Sequence, residues 1–484
     1  MSEKKRVGIL GRVKRAAIAF GTGWENADSS PRRRTPPGAK PRDWKHDMTQ
    51  TARSELVRRS RYLQKNSGFY EESGGDMALY AVGTGIRPQS MAEVESARKE
   101  YEDYWKAWSE NCDVTGRFSM DDIGNLASRA VDFDGEIFTI RTRDLRGTAK
   151  LQIMETHRLS SRTDPDARVY QGIRLSAFGK PLEYYFLRDD KEEFGLLSYF
   201  VSHIFEPRWS SALRNPPTLQ HGFNNLLDSM ELLSLEKHGV KDLLDVARVL
   251  KSNRESALDD GDFQIGTDAD GDIPANPPSD PAALAKSIGG RIVRINENES
   301  LDGFDLKGRP SPTFQGFLEY LLRDTAGGGL PYEVLRDPSK VGGAVVRLLV
   351  SKTDRRVEHR KQMLIRRLYK PTWFYVIGDA IDKGELPAVP GWWKTKWTGQ
   401  RRITVDAGRD EQQSRLDLET GRKSWEQDFA ERGMDFEEDL EIRKRNARAI
   451  MTAAGHPETE PIPLWMLYKP SGTAPDINMK DEDE

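Results

Sequence analysis

The chain has 484 residues, which is enough for two or three domains, because single domains usually hold about 100–200 residues. Its formal net charge is −3, with 37% hydrophobic and 31% charged residues, so it can form a core, and the totals alone do not indicate a nucleic-acid-binding protein. The single cysteine, Cys112, excludes a disulfide framework, and no apolar run approaches the roughly 18 residues of a transmembrane helix.

Charge is distributed unevenly along the chain. Residues 1–65 contain 17 Lys and Arg against 6 Asp and Glu, and residues 341–370 contain 9 against 2. Residues 254–280 have the opposite sign, with 1 basic residue against 8 acidic ones. Such blocks are typical of solvated arms or of surfaces that face a charged partner. Residues 1–50, rich in Pro, Arg and Ser, are predicted to form a flexible basic arm.

The part that follows this arm is predicted to combine helices with an antiparallel sheet. A helical pattern begins at Thr51, and a later helix carries an aromatic stripe that favours core packing over base stacking. The Asp134-Gly135 turn leads into a strand at Glu136–Arg141, and Gly179 marks a hairpin further on. The aromatic stripe consists of Tyr101, Tyr104, Trp105 and Trp108.

The second half alternates long helical patterns with polar segments. Residues 216–251 give the longest helical pattern, with Thr218 as its N-cap, and a second helix is predicted at 313–325. A long basic helix follows, which Pro371 is predicted to break or bend.

After a strand at Arg402–Val405, the pattern predicts two polar helices, the first ending at Gly421 and the second capped by Ser424.

The chemistry-bearing residues do not form a recognisable catalytic set. The sequence has no phosphate-binding loop, no nucleophile elbow and no metal-binding histidine pair. Asp268, Asp270 and Asp272 have calcium-loop spacing, but Ile273 stands where that loop needs glycine. The segment "DFDGE" holds Asp132, Asp134 and Glu136, and we favour a turn into a strand over a carboxylate cluster. His157, His203 and His221 are interpreted as single packed or exposed residues, and Cys112 as structural.

Five segments of the chain occur in a characteristic order: "AVGTGIRPQ", "DFDGEIF", "GIRLSAFGKPLEYYF", "PTFQGFLEYLLRDTAGGGLPYEVL" and "WTGQRRITVDAGRDEQQ". This order resembles the lambda family of tailed-phage portal proteins, and the resemblance covers about residues 51–445. The chain departs from the family pattern at "GGAVVR", which retains only Arg347, and at "DAGRDEQQ", where the family has Asp-Pro-Lys-Glu.

The resemblance implies an α+β portal fold with a wing, a helical stem, a small β-rich clip and a helical crown. By order along the chain, these parts are an arm at 1–50, the wing at 51–215, stem helices at 216–251 and 311–325, the clip at 252–310, the tunnel loop with the basic helix and a wing strand at 326–405, the crown at 406–455 and an acidic tail at 456–484.

The same resemblance implies a function without catalysis or a cofactor. The chain would form a homo-oligomeric ring, usually a dodecamer, at one capsid vertex of a virion assembled in the host cytoplasm. Double-stranded DNA would pass through its channel during packaging and ejection. The implied protein partners are the terminase large subunit, the head–tail connector and the major capsid or scaffold protein, and no membrane is involved.

Three groups of residues are candidates for these contacts. Those facing DNA are expected to touch phosphates without reading bases, although the same arginines could instead pair with acidic residues of the next subunit. The candidates are Lys340, Arg347, Lys352, Arg355 and Arg356 for the DNA channel; Arg291, Arg294, Asn296 and Glu297 for docking at the clip; and Glu411, Arg415, Asp417 and Glu419 for contacts in the crown, along the helix or between subunits.

A second class of protein also fits the charge pattern. A sequence-nonspecific nucleic-acid-binding protein of another family could use the basic arm and the basic helix. An enzyme acting on nucleic acid would need a carboxylate cluster that the sequence does not define.

Overall fold

The computed structural model describes residues 43–252, 291–296, 312–336, 342–399, 407–432, 434, 436–457 and 460–467. No helix in these ranges is long and apolar enough to cross a membrane. Residues 1–42 of the predicted basic arm, the calcium-like segment, the strand at Arg402–Val405, Lys340 and Glu297 lie outside the described residues. The last part of the predicted arm, residues 43–50, is not an arm, because it contains the helix Trp44–Asp47, whose Trp44 is hydrogen-bonded to Ser211 and Arg214.

The first part of the chain is mainly helical, and side-chain caps begin several of its helices. Its helices are α1 (Trp44–Asp47), α2 (Gln50–Asn66), α3 (Gly68–Ala81), α4 (Glu95–Ser109) and α5 (Met120–Phe133), with strand β1 (Arg87–Ser90) before α4. Thr49 caps α2 and Ser67 caps α3, because each side-chain oxygen accepts a hydrogen bond from a backbone N–H in the first turn. Ser119 and Asp122 form a reciprocal capping box at the start of α5.

Two antiparallel sheets follow α5. One has the strand order β3-β2-β8, and the other is the meander β4-β5-β6-β7. The predicted antiparallel sheet is therefore confirmed. Strands β4 and β5 form a tight hairpin, whose turn residues Gln171 and Gly172 both have positive φ. The strands are β2 (Glu136–Arg143), β3 (Ala149–Glu155), β4 (Val169–Tyr170), β5 (Ile173–Leu175), β6 (Pro181–Leu187), β7 (Glu193–Leu197) and β8 (Val201–Phe205).

Strand β2 is buried on both faces and joins the two cores of the protein. Ile137 packs into the helical core, whereas its neighbours Phe138 and Ile140 pack against the second sheet. Successive side chains of a strand point in opposite directions, so β2 can serve both cores. The predicted aromatic stripe lies in the helical core, where the rings of Trp105 and Trp373 are 5.5 Å apart.

The predicted long helix at 216–251 is shorter in the structure. It is helix α6 (Phe223–Asp245), and residues Val246–Ser252 form strand β9, which pairs in parallel with β10 (Arg291–Asn296). Thr218 is not its N-cap, because its hydroxyl donates to the carbonyl oxygen of Val131 at 3.2 Å, five residues before the helix begins. The β-branched and aliphatic run "VARVLKS" accounts for the change from helix to strand.

The remaining helices include the predicted basic helix. They are α7 (Pro312–Ala326), α8 (Tyr332–Leu335), α9 (Ala344–Leu364), α10 (Lys370–Asp382), α11 (Ala407–Glu419), α12 (Trp425–Glu431), α13 (Phe436–Ala453) and α14 (Leu464–Leu467). Pro371 neither ends nor breaks the long helix, because a π-helical segment, Ile365–Tyr369, joins α9 to α10. Strand β11 (Thr395–Thr398), which the sequence analysis did not predict, pairs with β1.

Gly135 is the turn residue that the sequence analysis predicted between α5 and β2. Its φ is +86°, and an added Cβ would collide with the Asn215 carbonyl oxygen and lie 2.6 Å from the Pro216 carbonyl carbon. Gly147 has nearly the same φ, +80°, but nothing lies within 4 Å of an added Cβ.

We expect Gly135→Ala to lower the free energy of unfolding at least twice as much as Gly147→Ala. The positive φ alone costs about 1–2 kcal/mol for alanine, and only Gly135 adds a collision with backbone atoms. Urea unfolding followed by circular dichroism measures both variants. Equal losses would mean that the chain around Asn215 moves away without cost.

Candidate nucleic-acid interface

Helix α9 has one buried face and one exposed face. Thr353, Val357, Arg360 and Leu364 recur every three or four residues and are buried. The opposite face exposes Leu348, Lys352, Arg355 and His359. Helical side chains three and four residues apart lie on the same side, so most of the cations of α9 separate into a buried set and a solvent-facing set.

The exposed face borders a cleft of about 820 Å³ between α9, the Gly328 loop and the segment before α6. Three of the predicted channel residues, Lys352, Arg355 and Arg356, line this cleft together. Arg347 lies further toward the start of α9, where it is exposed. The cleft is lined by Met77, Glu206, Arg208, Thr218, His221, Gly328, Leu348, Ser351, Lys352, Arg355, Arg356, His359 and Arg360.

The cations of the cleft differ in how they are held. The Arg356 guanidinium donates to the carbonyl oxygens of Gly329 and Gly327, so this residue fastens the glycine-rich loop after α7 to α9. Arg208 donates to the carbonyl oxygen of Thr218 at 2.9 Å. Within the part of the chain that the structure describes, neither Lys352 nor Arg355 forms an ion pair. These two side chains are therefore the best placed to meet an external anion.

Arg360 lies buried at the floor of the cleft, and the sequence analysis did not single it out. Its guanidinium makes two bonds to the carboxylate of Asp132, at 2.7 and 2.9 Å, and one to Glu206 at 3.3 Å. Burial by itself lowers the pKa of Arg360, but Asp132 and Glu206 outweigh it, so the pKa lies above its ordinary value. The pair connects α9 to α5 and to the segment after β8.

The segment "DFDGE" forms the predicted turn, and its three carboxylates do not make a common site. Asp132 binds Arg360, Asp134 binds Arg61 at 2.7 and 2.9 Å, and Glu136 binds Arg214. Among the residues that the structure describes, no group of three or more Asp, Glu, His or Cys side chains could hold a metal ion.

Glu136 lies at the centre of a second buried ion network. Burial by itself raises its pKa, but Arg214, His203 and Arg53 outweigh this and hold the pKa well below its usual range. His203 lies 2.9 Å from the Glu136 carboxylate, and burial is the main cause of its lowered pKa. His203 is thus packed, as expected for a single histidine, whereas His157 and His221 are exposed.

Cys112 is buried, and burial raises its pKa to about 12, in keeping with a structural role.

The predicted clip residues fall on β10. Arg291 pairs in register with Val246, Arg294 with Leu250 and Asn296 with Ser252. Strand β9 occupies residues that were predicted as the end of a stem helix, and the assignment of residues 252–310 to the clip stays a prediction.

The predicted crown residues lie on α11 and bond largely within the chain. Glu411 pairs with Arg432 at 2.9 Å. The Asp417 carboxylate accepts a hydrogen bond from the Gln413 amide, and the Asp417 backbone carbonyl oxygen accepts one from the N–H of Arg422. Arg415 and Glu419 are exposed. Gly421 has a φ of +70°, and Ser424 accepts the backbone N–H of Gln427, so both predicted caps are confirmed.

Asp428 is a crown residue that the sequence analysis missed. It is buried and binds Lys423 at 2.6 Å, Ser414 at 2.7 Å and Arg432 at 2.9 Å. Nothing in the linear charge pattern distinguishes it from its exposed acidic neighbours.

Comparison with known proteins identifies the family. The family model described as "Phage portal protein, lambda family" matches residues 32–361. Portal protein B of Escherichia phage lambda is 22% identical over 398 residues, covering 72% of each chain. Among solved structures, the neck of an empty GTA particle has a TM-score of 0.43 at 13% identity, covering 87% of this chain and 98% of the other. The neck of a native GTA particle has a TM-score of 0.42 at 13% identity, covering 78% and 92%.

The chain belongs to the lambda family of phage portal proteins, since that family model matches more than half of it. It is accordingly a virion protein that forms a homo-oligomeric ring associated with the capsid. The predicted family resemblance is confirmed, and the alternative of a nucleic-acid-binding protein of another family is set aside. The family is structural in general, so a catalytic centre is not part of its known role.

We expect Arg360→Met to lower the free energy of unfolding by about 3–5 kcal/mol, because it leaves the Asp132 carboxylate buried without its cation. Replacing both partners, as Arg360→Met with Asp132→Leu, should recover most of this loss. Lys352→Met, on the exposed face of the same helix, should change stability by less than about 0.5 kcal/mol. Chemical denaturation of the three variants measures the differences, and an Arg360→Met loss no larger than that of Lys352→Met would contradict this role.

We expect acid to destabilise the fold in part through His203. The unfolded chain protonates this histidine near pH 6.5, whereas the folded pKa is lowered, so protons favour the unfolded state. Stability should therefore fall as the pH decreases from 7.5 to 5.5. His203→Gln should flatten this dependence by up to about 1.4 kcal/mol per pH unit, the value for one proton. Denaturation curves at several pH values check it, and an unchanged slope in the variant would refute the assignment.

Proposed function

We propose that the chain forms a dodecameric ring at one capsid vertex, through which double-stranded DNA passes during packaging and ejection. The observation that carries this proposal is the family match combined with a cleft whose exposed cations, Lys352 and Arg355, lie on one face of a long helix. A ring repeats this face around its axis, so that two cations per subunit meet the duplex from all sides.

The weak charge of the whole chain supports passage rather than tight binding. Double-stranded DNA carries one charge per roughly 1.7 Å of its axis, and affinity rises with each phosphate that is neutralised. The formal net charge of −3 and the division of α9 into buried and exposed cations leave few contacts to the duplex. Contacts to phosphates alone do not depend on base sequence, as a conduit for any genome requires.

We assign Lys352 and Arg355 as the principal DNA contacts, with Arg347, near the start of α9, and Lys340 as further candidates. Arg356 is assigned a supporting role, because its guanidinium holds the carbonyl oxygens of the Gly327–Gly329 loop.

The ends of the ring take the protein partners in this proposal. The β9–β10 lobe, with Arg291, Arg294, Asn296 and the adjacent Glu297, is the docking surface for the terminase large subunit and later for the head–tail connector. The wing faces the major capsid or scaffold protein. Helices α11–α13 form the crown, where Arg415 and Glu419 are exposed for contacts with the next subunit.

We expect the double variant Lys352→Glu/Arg355→Glu to reduce packaged DNA at least tenfold, because it replaces two cations that face the phosphates with anions. Rings should still assemble, because both side chains are exposed and do not stabilise the fold. The matched control is Lys370→Glu/Lys394→Glu, which makes the same charge change at exposed positions outside the cleft. Light scattering reports the ring, and nuclease-protected DNA per particle reports packaging. Equal packaging by the two variants would refute the assignment of the channel face.

A further inference from the structure

The cleft beneath α9 has features that contact with a duplex does not use. A volume of about 820 Å³ falls within the roughly 300–1,000 Å³ of clefts that enclose a small ligand or a short peptide. A duplex is too wide to enter such a cleft and could touch only its rim. The cleft nevertheless extends down to buried Arg360, and its walls include the apolar side chains of Met77 and Leu348.

The charge inside the cleft is strongly unbalanced. Four cations, Arg208, Lys352, Arg355 and Arg356, face a single lining carboxylate, Glu206, while the fifth lining cation, Arg360, is already paired with buried Asp132. Glu206 is also engaged by Arg360 at 3.3 Å and lies 3.7 Å from His359. The buried Nε of Arg360 has no hydrogen-bond partner among the described residues. That nitrogen is closed off from the cleft, so the cations that a further acidic group can meet are Lys352 and Arg355, which form no ion pair among the described residues.

The chain itself supplies a segment of matching chemistry. Residues 476–484, "DINMKDEDE", carry five carboxylates against one lysine, with Ile477 and Met479 among them. The carboxylates can pair with the exposed cations at the rim of the cleft, and the two apolar side chains can pack against Met77 and Leu348. The 17 residues after Leu467 can span up to roughly 56–61 Å when extended, which is enough to cross much of one subunit.

We propose that the acidic segment 476–484 of the portal chain docks in this cleft, with its carboxylates on Lys352 and Arg355 and its apolar side chains toward Met77 and Leu348. The segment then covers the cations that the proposed function assigns to DNA, so segment and duplex compete for them. The docking itself depends only on the cleft and does not require that DNA contact.

Zero-length carbodiimide coupling in the full-length protein tests the docking, because the reagent joins an amine to a carboxylate only where the two form an ion pair. Mass spectrometry should find Lys352 joined to Asp481–Glu484 at low salt. The yield should fall at least fivefold in 0.5 M NaCl, which screens ion pairs that are open to solvent. It should also fall severalfold in Arg355→Gln, which keeps the reacting amine but removes the neighbouring cation.

Lys370 and Lys394 are the internal controls, since both are exposed and lie outside the cleft. Equal coupling of the segment to these lysines and to Lys352 would overturn the proposal, because it would describe a segment without a preferred site. A second measurement is the acetylation of Lys352 with and without a 12-base-pair duplex. No coupling, together with protection of Lys352 by the duplex alone, would assign the cleft to nucleic acid and overturn the docking. Normal packaging by Lys352→Glu/Arg355→Glu, together with coupling of Lys352 in the unsubstituted protein, would refute only the proposed DNA contact.

Discussion

The contact on which the rest of the structure depends is the buried ion pair between Arg360 and Asp132. It is the point at which the long helix α9 is held against α5 and, through Glu206, against the end of the first sheet. A buried charge without its partner costs several kcal/mol, so this pair admits one position of α9 relative to the sheets. The exposed cations on the preceding turns of α9, Lys352 and Arg355, take their positions from it.

Helix α9 therefore uses arginine in two ways: some arginines stabilise the subunit, and others face the open cleft. Arg360 and Arg356 donate hydrogen bonds within the subunit, Arg360 to carboxylates and Arg356 to the carbonyl oxygens of a loop. Arg355, adjacent in sequence to Arg356, points to the open cleft because neighbouring residues on a helix are about 100° apart. A portal subunit has to hold its own fold and let DNA slide, and this division separates the two demands within the six residues 355–360.

The sequence predicted local caps and turns better than it predicted which residues pair with each other across the fold. The caps at Gly421 and Ser424 and the Asp134-Gly135 turn are local, since a few neighbouring residues determine them. The end of α6 at Asp245 was missed because it depends on pairing with β10, about 45 residues later. The role of Arg360 was missed for the same reason, because its partners Asp132 and Glu206 are 228 and 154 residues away in sequence. Asp428 was missed although Lys423 and Arg432 are close in sequence, because a charge pattern does not distinguish a buried carboxylate from an exposed one.

The π-helical segment between α9 and α10 has a consequence for how this chain can vary. Pro371 lacks the N–H that would extend the α-helical ladder, and the wider turn at Ile365–Tyr369 accommodates it without ending the helix. That wider turn holds about one additional residue, which sets the phase between the two helices. Losing one residue there would rotate Trp373 by about 100° away from Trp105 and Trp397, so this stretch tolerates changes of side chain far better than changes of length.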